Sequence, residues 1–221
     1  MERGLFFVPD QILIRSRNAL KHPMTSEFFC SLVQWLPVMP PSRFVKRSQM
    51  VFDFTKTELV PPQLTAGFWF SDWSDSLIEP HADVLHRSFR YDSDGAVFTT
   101  FQQYHHCRRL IEMLADSPSF LPEATLLVAH GGSEDMFEYV ANIQGLKLSD
   151  EVGAIQNVAV LPEYRRQGIG LALVQRALQG FQRAGVQKVT LEATTDNLTA
   201  VNLYHRIGFT TYRVYFREIF G

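Results

Sequence analysis

Cysteine is scarce in this sequence of 221 residues, which has only Cys30 and Cys107. Two scattered thiols cannot build a disulfide framework, and they point to free thiols in a reducing, cytoplasmic setting. No stretch is apolar for long enough to span a bilayer, so no membrane association is expected. Leu5-Phe6-Phe7-Val8 is broken at once by Pro9-Asp10, which is too short for a signal-peptide core. An excess of one charge is also missing: Lys and Arg total 21, Asp and Glu total 23, and the net charge is −2. A nucleic-acid surface needs a basic excess, so that class of partner is excluded, and only a local basic pair stands at Arg165-Arg166. Metal-ligand spacing is lacking too. His105-His106-Cys107 are consecutive, and a helix would point them about 100° apart, away from any shared ion. There is no internal repeat and no low-complexity tract.

What is present is apolar content of 46%, enough for a sizeable core, with 18 Phe that read first as packing residues. Residues 1–62 form an N-terminal zone of their own. Phe28, Phe29, Leu32, Val33 and Leu36 recur at helical spacing behind a Thr25-Ser26 cap, and Pro37 ends that run. Gln49 to Phe54 alternates as a strand, and Pro61-Pro62 marks a linker. These pieces are too few for an independent core, so the zone is expected to pack on the main domain or on a partner chain, a homodimer included.

Residues 63–221 read as the main domain. Gly67 to Phe70 is its first strand. Helices are expected from Ile78, with Ala82, Leu85 and Phe89 on one face, and over Tyr104 to Leu114, with Cys107, Leu110, Ile111 and Leu114 inward. Ala124 to Ala129 and Phe137 to Ile143 form a hairpin, and Gly153 to Leu161 follows. Then come a helix from Gly168, a strand over Lys188 to Thr194, a helix over Asn197 to Ile207 and a closing strand over Phe209 to Ile219. Strand–helix–strand order after residue 150 implies a right-handed crossover and a parallel pair, while the hairpins before it are antiparallel. The fold class is therefore α/β, a mixed sheet with helices on both faces.

One stretch has chemical meaning. An apolar strand ends at Leu161-Pro162, a basic glycine-containing turn follows, and a helix begins. Such a turn aims backbone N–H groups and the positive helix end at one point, which suits a phosphate. Arg165-Arg166-Gln167-Gly168-Ile169-Gly170 resembles the acyl-CoA pyrophosphate loop of the GNAT superfamily of N-acetyltransferases. Asn197, Ala200, Leu203-Tyr204 and Gly208-Phe209 resemble that superfamily's second conserved run. The resemblance covers about Glu151 to Tyr212.

The resemblance implies a centrally splayed sheet, acetyl-CoA as co-substrate, no metal, and transfer of an acetyl group to an amine acceptor in a ternary complex. It places the pantetheine arm along Val158, Ala159 and Val160, held by backbone groups. It places the pyrophosphate on the amides from Arg166 to Leu171, with Arg165 or Arg166 adding charge. Asn197 would bond the pantetheine arm, cap its helix, or do both, with Ala200 and Tyr204 beside it. Tyr204 matches the family's acid for the departing thiolate. Many relatives carry a Glu on the strand before the loop, where Ala154 and Gln156 stand here. Glu192 is the alternative base, and Val189, Leu191 and Ala193 face away from it. A structural acceptor for a nearby donor is an equally open reading of Glu192, and a base that relays through water, or no protein base at all, stays open beside it. Tyr91 to Gly95, Phe101 and Tyr104 fall where the family places its acceptor loop. A non-catalytic module that keeps the fold and binds acyl-CoA or a protein partner is the competing expectation.

Overall fold

In the computed structural model, residues 42–90, 99–133 and 136–220 are described, and Phe44–Ile219 form a compact unit. Its strands are β1 (Ser42–Asp53), β2 (Phe68–Asp72), β3 (Leu126–Ser133), β4 (Met136–Lys147), β5 (Val152–Val160), β6 (Lys188–Thr194) and β7 (Thr210–Phe220). Its α-helices are α1 (Ile78–Phe89), α2 (Tyr104–Ala115), α3 (Ile169–Arg183) and α4 (Leu198–Ile207). The strands lie in the order β2-β3-β4-β5-β6-β1-β7. β5 and β6 run parallel, and the pairs β2–β3, β3–β4, β4–β5 and β1–β6 are antiparallel. The mixed sheet and the parallel crossover from β5 to β6 agree with the pattern read from the sequence.

The strand expected at Gln49 to Phe54 is longer and starts at Ser42. It lies inside the sheet, between β6 and β7, so the boundary expected after residue 62 does not separate it from the main domain. The helix expected over Phe28 to Leu36 lies outside the described residues.

The helices cover both faces because their apolar stripes need partners. α2 buries Cys107, Leu110, Ile111 and Leu114, the stripe its spacing predicts, and packs against α1. α1 lies on β4 and β5. On the other face, α3 buries a wider set, including Leu173, Val174, Ala177, Leu178 and Phe181, because it sits over the middle of the sheet. Phe181 fits there only because β5 offers a glycine beneath it: a Cβ on Gly153 would lie 2.5 Å from the Phe181 ring.

Gly180 shows the same constraint on the helix itself. A Cβ there would lie 1.9 Å from the carbonyl oxygen of Glu123, in the turn Pro122–Ala124 that leads into β3. Gly-to-Ala in an open helix stabilises by up to about 1 kcal/mol. Here overpacking against backbone should reverse the sign, and Gly180→Ala is expected to destabilise the protein by about 1–3 kcal/mol in urea titration.

Candidate active site

The parallel pairing of β5 and β6 is short. It joins Val152 to Lys188, Gly153 to Val189 and Ala154 to Thr190, and then stops. β5 continues to Val160, paired with β4 on its other side, and β6 continues to Thr194, paired with β1. The two strands therefore splay, and their inner edges face a gap. Leu161 N donates to Val140 O of β4 at 2.9 Å. Backbone direction alternates along a strand, so Ala159 also turns to β4, whereas Val158 and Val160 turn their backbone groups into the gap. The Val160 carbonyl is already taken there, by Arg165 Nε at 3.0 Å. Val158 thus offers an N–H and a C=O to a ligand strand, and Val160 offers its N–H.

The chain leaves the gap through the 3-10 turn Pro162–Tyr164 and enters α3 after two left-handed residues, Arg166 (φ 66°) and Gly168 (φ 81°). The first helical bond from Gly168 runs from Ala172 N to Gly168 O at 3.0 Å. The N–H groups of Ile169, Gly170 and Leu171 lead the helix, where the positive end of its dipole lies. A Cβ at Gly168 would meet open space, so glycine is favoured there by its φ alone. Arg166 and Gln167 are exposed beside it. Arg165 is exposed as well, but its Nη2 donates to Ser88 O at 2.9 Å, and together with the Val160 bond this ties the end of β5 to α1.

α4 forms the far wall. Asn197 caps it, accepting from Ala200 N at 3.1 Å. Tyr204 is 8% exposed and packs edge-on against Phe209, which in turn meets Phe52. This places Tyr204 on the face of the sheet that α3 and α4 cover. Glu192 lies on the opposite face, alternating with buried Val189, Leu191 and Ala193 as its spacing predicts. Gln49 Nε2 donates to its Oε1 at 2.7 Å and Tyr215 Oη to its Oε2 at 2.8 Å, while Arg47 Nη2 lies 4.0 Å away. Burial first, and then the bond to Glu192, push the Tyr215 phenol up to about 12. Glu192 therefore fastens β6 to β1 and β7 at the same time as it borders the gap. Gln49 stands directly opposite it in the ladder, a pairing no sequence spacing reveals.

A second polar group was not legible beforehand. The register between β4 and β5 slips, from Gly145↔Ile155 to Gln144↔Asn157, so Gln156 is the extra residue of a bulge. The slip turns Asn157 onto the same face as Gln144. Asn157 Nδ2 donates to Gln144 Oε1 at 3.0 Å, Gln144 Nε2 lies 3.0 Å from His81 Nδ1, and Asn142 Nδ2 donates to His81 O at 2.7 Å. Burial pushes the His81 imidazole down to about 3, so it is neutral at working pH.

Of the residues expected to bind the acceptor, 91–95 lie outside the described residues. Phe101 is core, stacked on Phe89 at 4.8 Å. Tyr104 donates to Glu79 and joins α2 to α1. Cys107 is buried, its thiol facing Thr100 O at 3.6 Å and pushed up to about 12 by burial, which leaves it chemically inert.

A mixed sheet splayed at the parallel pair β5–β6, with an anion-ready helix start at the mouth of the gap, defines an N-acyltransferase-like fold. The chain belongs to the acetyltransferase (GNAT) family, whose model matches residues 82–209, more than half of it. Among solved structures it is similar to a GCN5-related N-acetyltransferase from Sphaerobacter thermophilus (TM-score 0.60, 20% identity, 89% of this chain and 57% of that one). It is also similar to the ribosomal-protein-S18-alanine N-acetyltransferase from Escherichia coli (TM-score 0.51, 18% identity, 66% of this chain and 79% of that one). In sequence it is 38% identical over 65 residues to N-alpha-acetyltransferase 30 of Schizosaccharomyces pombe, across 29% of this chain and 43% of that protein. It is 35% identical over 75 residues to an N-alpha-acetyltransferase of Sulfurisphaera tokodaii, across 34% of this chain and 45% of that protein. The chain thus spans less than half the length of these curated relatives. Among the described residues, no helix is long and apolar enough to cross a membrane.

Gly168→Val tests the loop. Isothermal calorimetry is expected to show acetyl-CoA binding to the wild type with one site per chain and none to the folded variant. Unchanged affinity would remove the loop from the cofactor site.

Proposed function

We propose that this protein transfers an acetyl group from acetyl-CoA to a primary amine, by direct attack within a ternary complex. The observation that carries the reading is the gap between β5 and β6, with the helix start of α3 at its mouth. The amides from Arg166 to Leu171 would take the pyrophosphate, with Arg166 as the added charge, since Arg165 is engaged elsewhere. The pantetheine arm would lie in the gap as an added strand, on the groups that Val158 and Val160 turn toward it. Asn197 and Ala200 would border that arm from α4.

The chemistry needs an electrophile, a proton acceptor and a proton donor. The Val160 N–H, the one group this residue keeps in the gap, would polarise the thioester carbonyl. The amine nitrogen would attack the carbonyl carbon, the C–S bond would break, and the thiolate would take the proton of Tyr204. Glu192 would receive the proton lost by the amine, since each of its oxygens accepts one bond and keeps a lone pair. The N-alpha-acetyltransferases among the relatives make an α-amino group the first acceptor to try. A panel of short peptides with free α-amines, a lysine peptide with its α-amine blocked, and spermidine tests the activity. Acetyl-CoA binding with no turnover on any of them would instead favour a binding module.

Two substitutions assign the roles. Tyr204→Phe keeps the ring packing against Phe209 and deletes the hydroxyl. General-acid loss costs about 10²–10⁴-fold, and because a thiolate leaves readily the low end is expected, with acetyl-CoA affinity kept. Near-full activity would make Tyr204 a packing residue only. Glu192→Gln is expected to lower turnover most at acidic pH, where the acceptor amine is protonated and a base matters most. Superimposable pH–rate profiles would leave Glu192 as the acceptor that fastens β1 and β7 to β6.

A further inference from the structure

The polar chain under α1 has no role in the scheme above, yet it is costly. His81, Asn142 and Gln144 are completely buried. Their neighbours Ala141 and Ile143 show that this strand otherwise buries apolar side chains. Polar groups in such a place are tolerated when they bond one another, and these do. The bonds form a line with a direction. An amide N–H can only donate, so Gln144 Nε2 facing His81 Nδ1 makes that nitrogen the acceptor and puts the imidazole proton on Nε2. His81 Nε2 has no hydrogen-bond partner among the described residues, and the Trp73 ring lies 5.1 Å from the imidazole. At the other end, Gln144 Oε1 receives Asn157 Nδ2, which leaves Asn157 Oδ1 outside the line.

Asn157 is half-buried and stands three positions past the last β5–β6 pair. The register sets its face: Gly145 and Gly153 face Phe181 of α3, so Gln144 and Asn157, across the bulge, face the other way. By the same alternation, Ala154 and Thr190 are on that face, and so is Glu192. Asn157 on β5 and Glu192 on β6 therefore border the gap from one face, while the α3 and α4 side is filled by core. An amine that reaches a thioester in the gap must arrive past Asn157 and Glu192.

We infer that Asn157 binds the acceptor's amino group through its Oδ1, and that Gln144 and His81 are positioning residues that hold this oxygen outward. The inference rests on the acetyltransferase reading above. The amino group donates an N–H to Asn157 Oδ1, which aims its lone pair at the thioester; no proton passes along the amides. Replacing the Asn157 amide by a carboxylate removes the donor to Gln144. Gln144 then turns its own N–H to residue 157, and its oxygen faces His81, which must move its proton to Nδ1. The line reverses as a unit.

Two measurements test this on the full chain. In ¹⁵N NMR of the imidazole, His81 carries its proton on Nε2 in the wild type and on Nδ1 in Asn157→Asp. An unchanged tautomer overturns the coupling. In kinetics with the best acceptor of the panel, Asn157→Leu raises the acceptor KM about tenfold or more and leaves acetyl-CoA affinity unchanged. Asn157→Ser, which is smaller and still polar, gives the same split if the leucine variant does not fold. An unchanged acceptor KM in a folded variant overturns the assignment of Asn157. No turnover by the wild type on any amine overturns the acetyltransferase reading instead, and the tautomer result is read independently of it.

Discussion

The rest of this molecule depends on a sheet that stops pairing early. Backbone donors and acceptors inside a protein nearly always find partners. β5 and β6 share three residue pairs and then part, although both strands continue. Each strand is secured from behind, β5 by β4 and β6 by β1, so the gap does not close on itself. Arg165 adds a clasp at the far end, joining Val160 to Ser88 of α1. The opening is thus a built feature of the fold, with peptide groups on its walls ready for an extended ligand.

The two faces of the gap differ in kind. On one, α3 and α4 bring Phe181, Leu203 and Tyr204 against the sheet, and close approach at Gly153 keeps that side dense. On the other, the strands carry Asn142, Gln144, Asn157, Glu192 and Gln49, each tied to a neighbour by a hydrogen bond. An apolar floor excludes water and a polar face can hold a charged or hydrogen-bonding reactant. The bulge at Gln156 contributes to this asymmetry, because without it Asn157 would point into the apolar side.

Much of this was legible from local pattern. The stripe Cys107, Leu110, Ile111 and Leu114 was read correctly because a helix face repeats at a spacing visible in the chain. The turn at Gly168 was legible because a left-handed residue at a helix start favours glycine. The facing of Glu192 followed from strand alternation. What stayed hidden was the register of side chains between distant segments. Nothing around Gln49 says that Glu192 will be opposite, and a bulge at Gln156 has no glycine or proline to mark it. Arg165 looked like a phosphate ligand because its neighbours did. Two of its N–H groups meet carbonyl oxygens on β5 and α1, and a carbonyl leaves no trace in a sequence.

The position of β1 has a consequence for how the chain is made. β1 lies between β6 and β7, so the last described strand attaches to the sheet through the first described one. Gln49 and Glu192 are 143 residues apart. At ribosomal speeds of 5–20 residues per second, β1 would wait roughly 7–30 s for the strand that pairs with it. Throughout that time a twelve-residue strand that ends in Met50-Val51-Phe52-Asp53 has both edges unpaired. The nascent protein is therefore exposed to mispairing at β1, and a chaperone that shields this strand during synthesis would act on a contact that forms late.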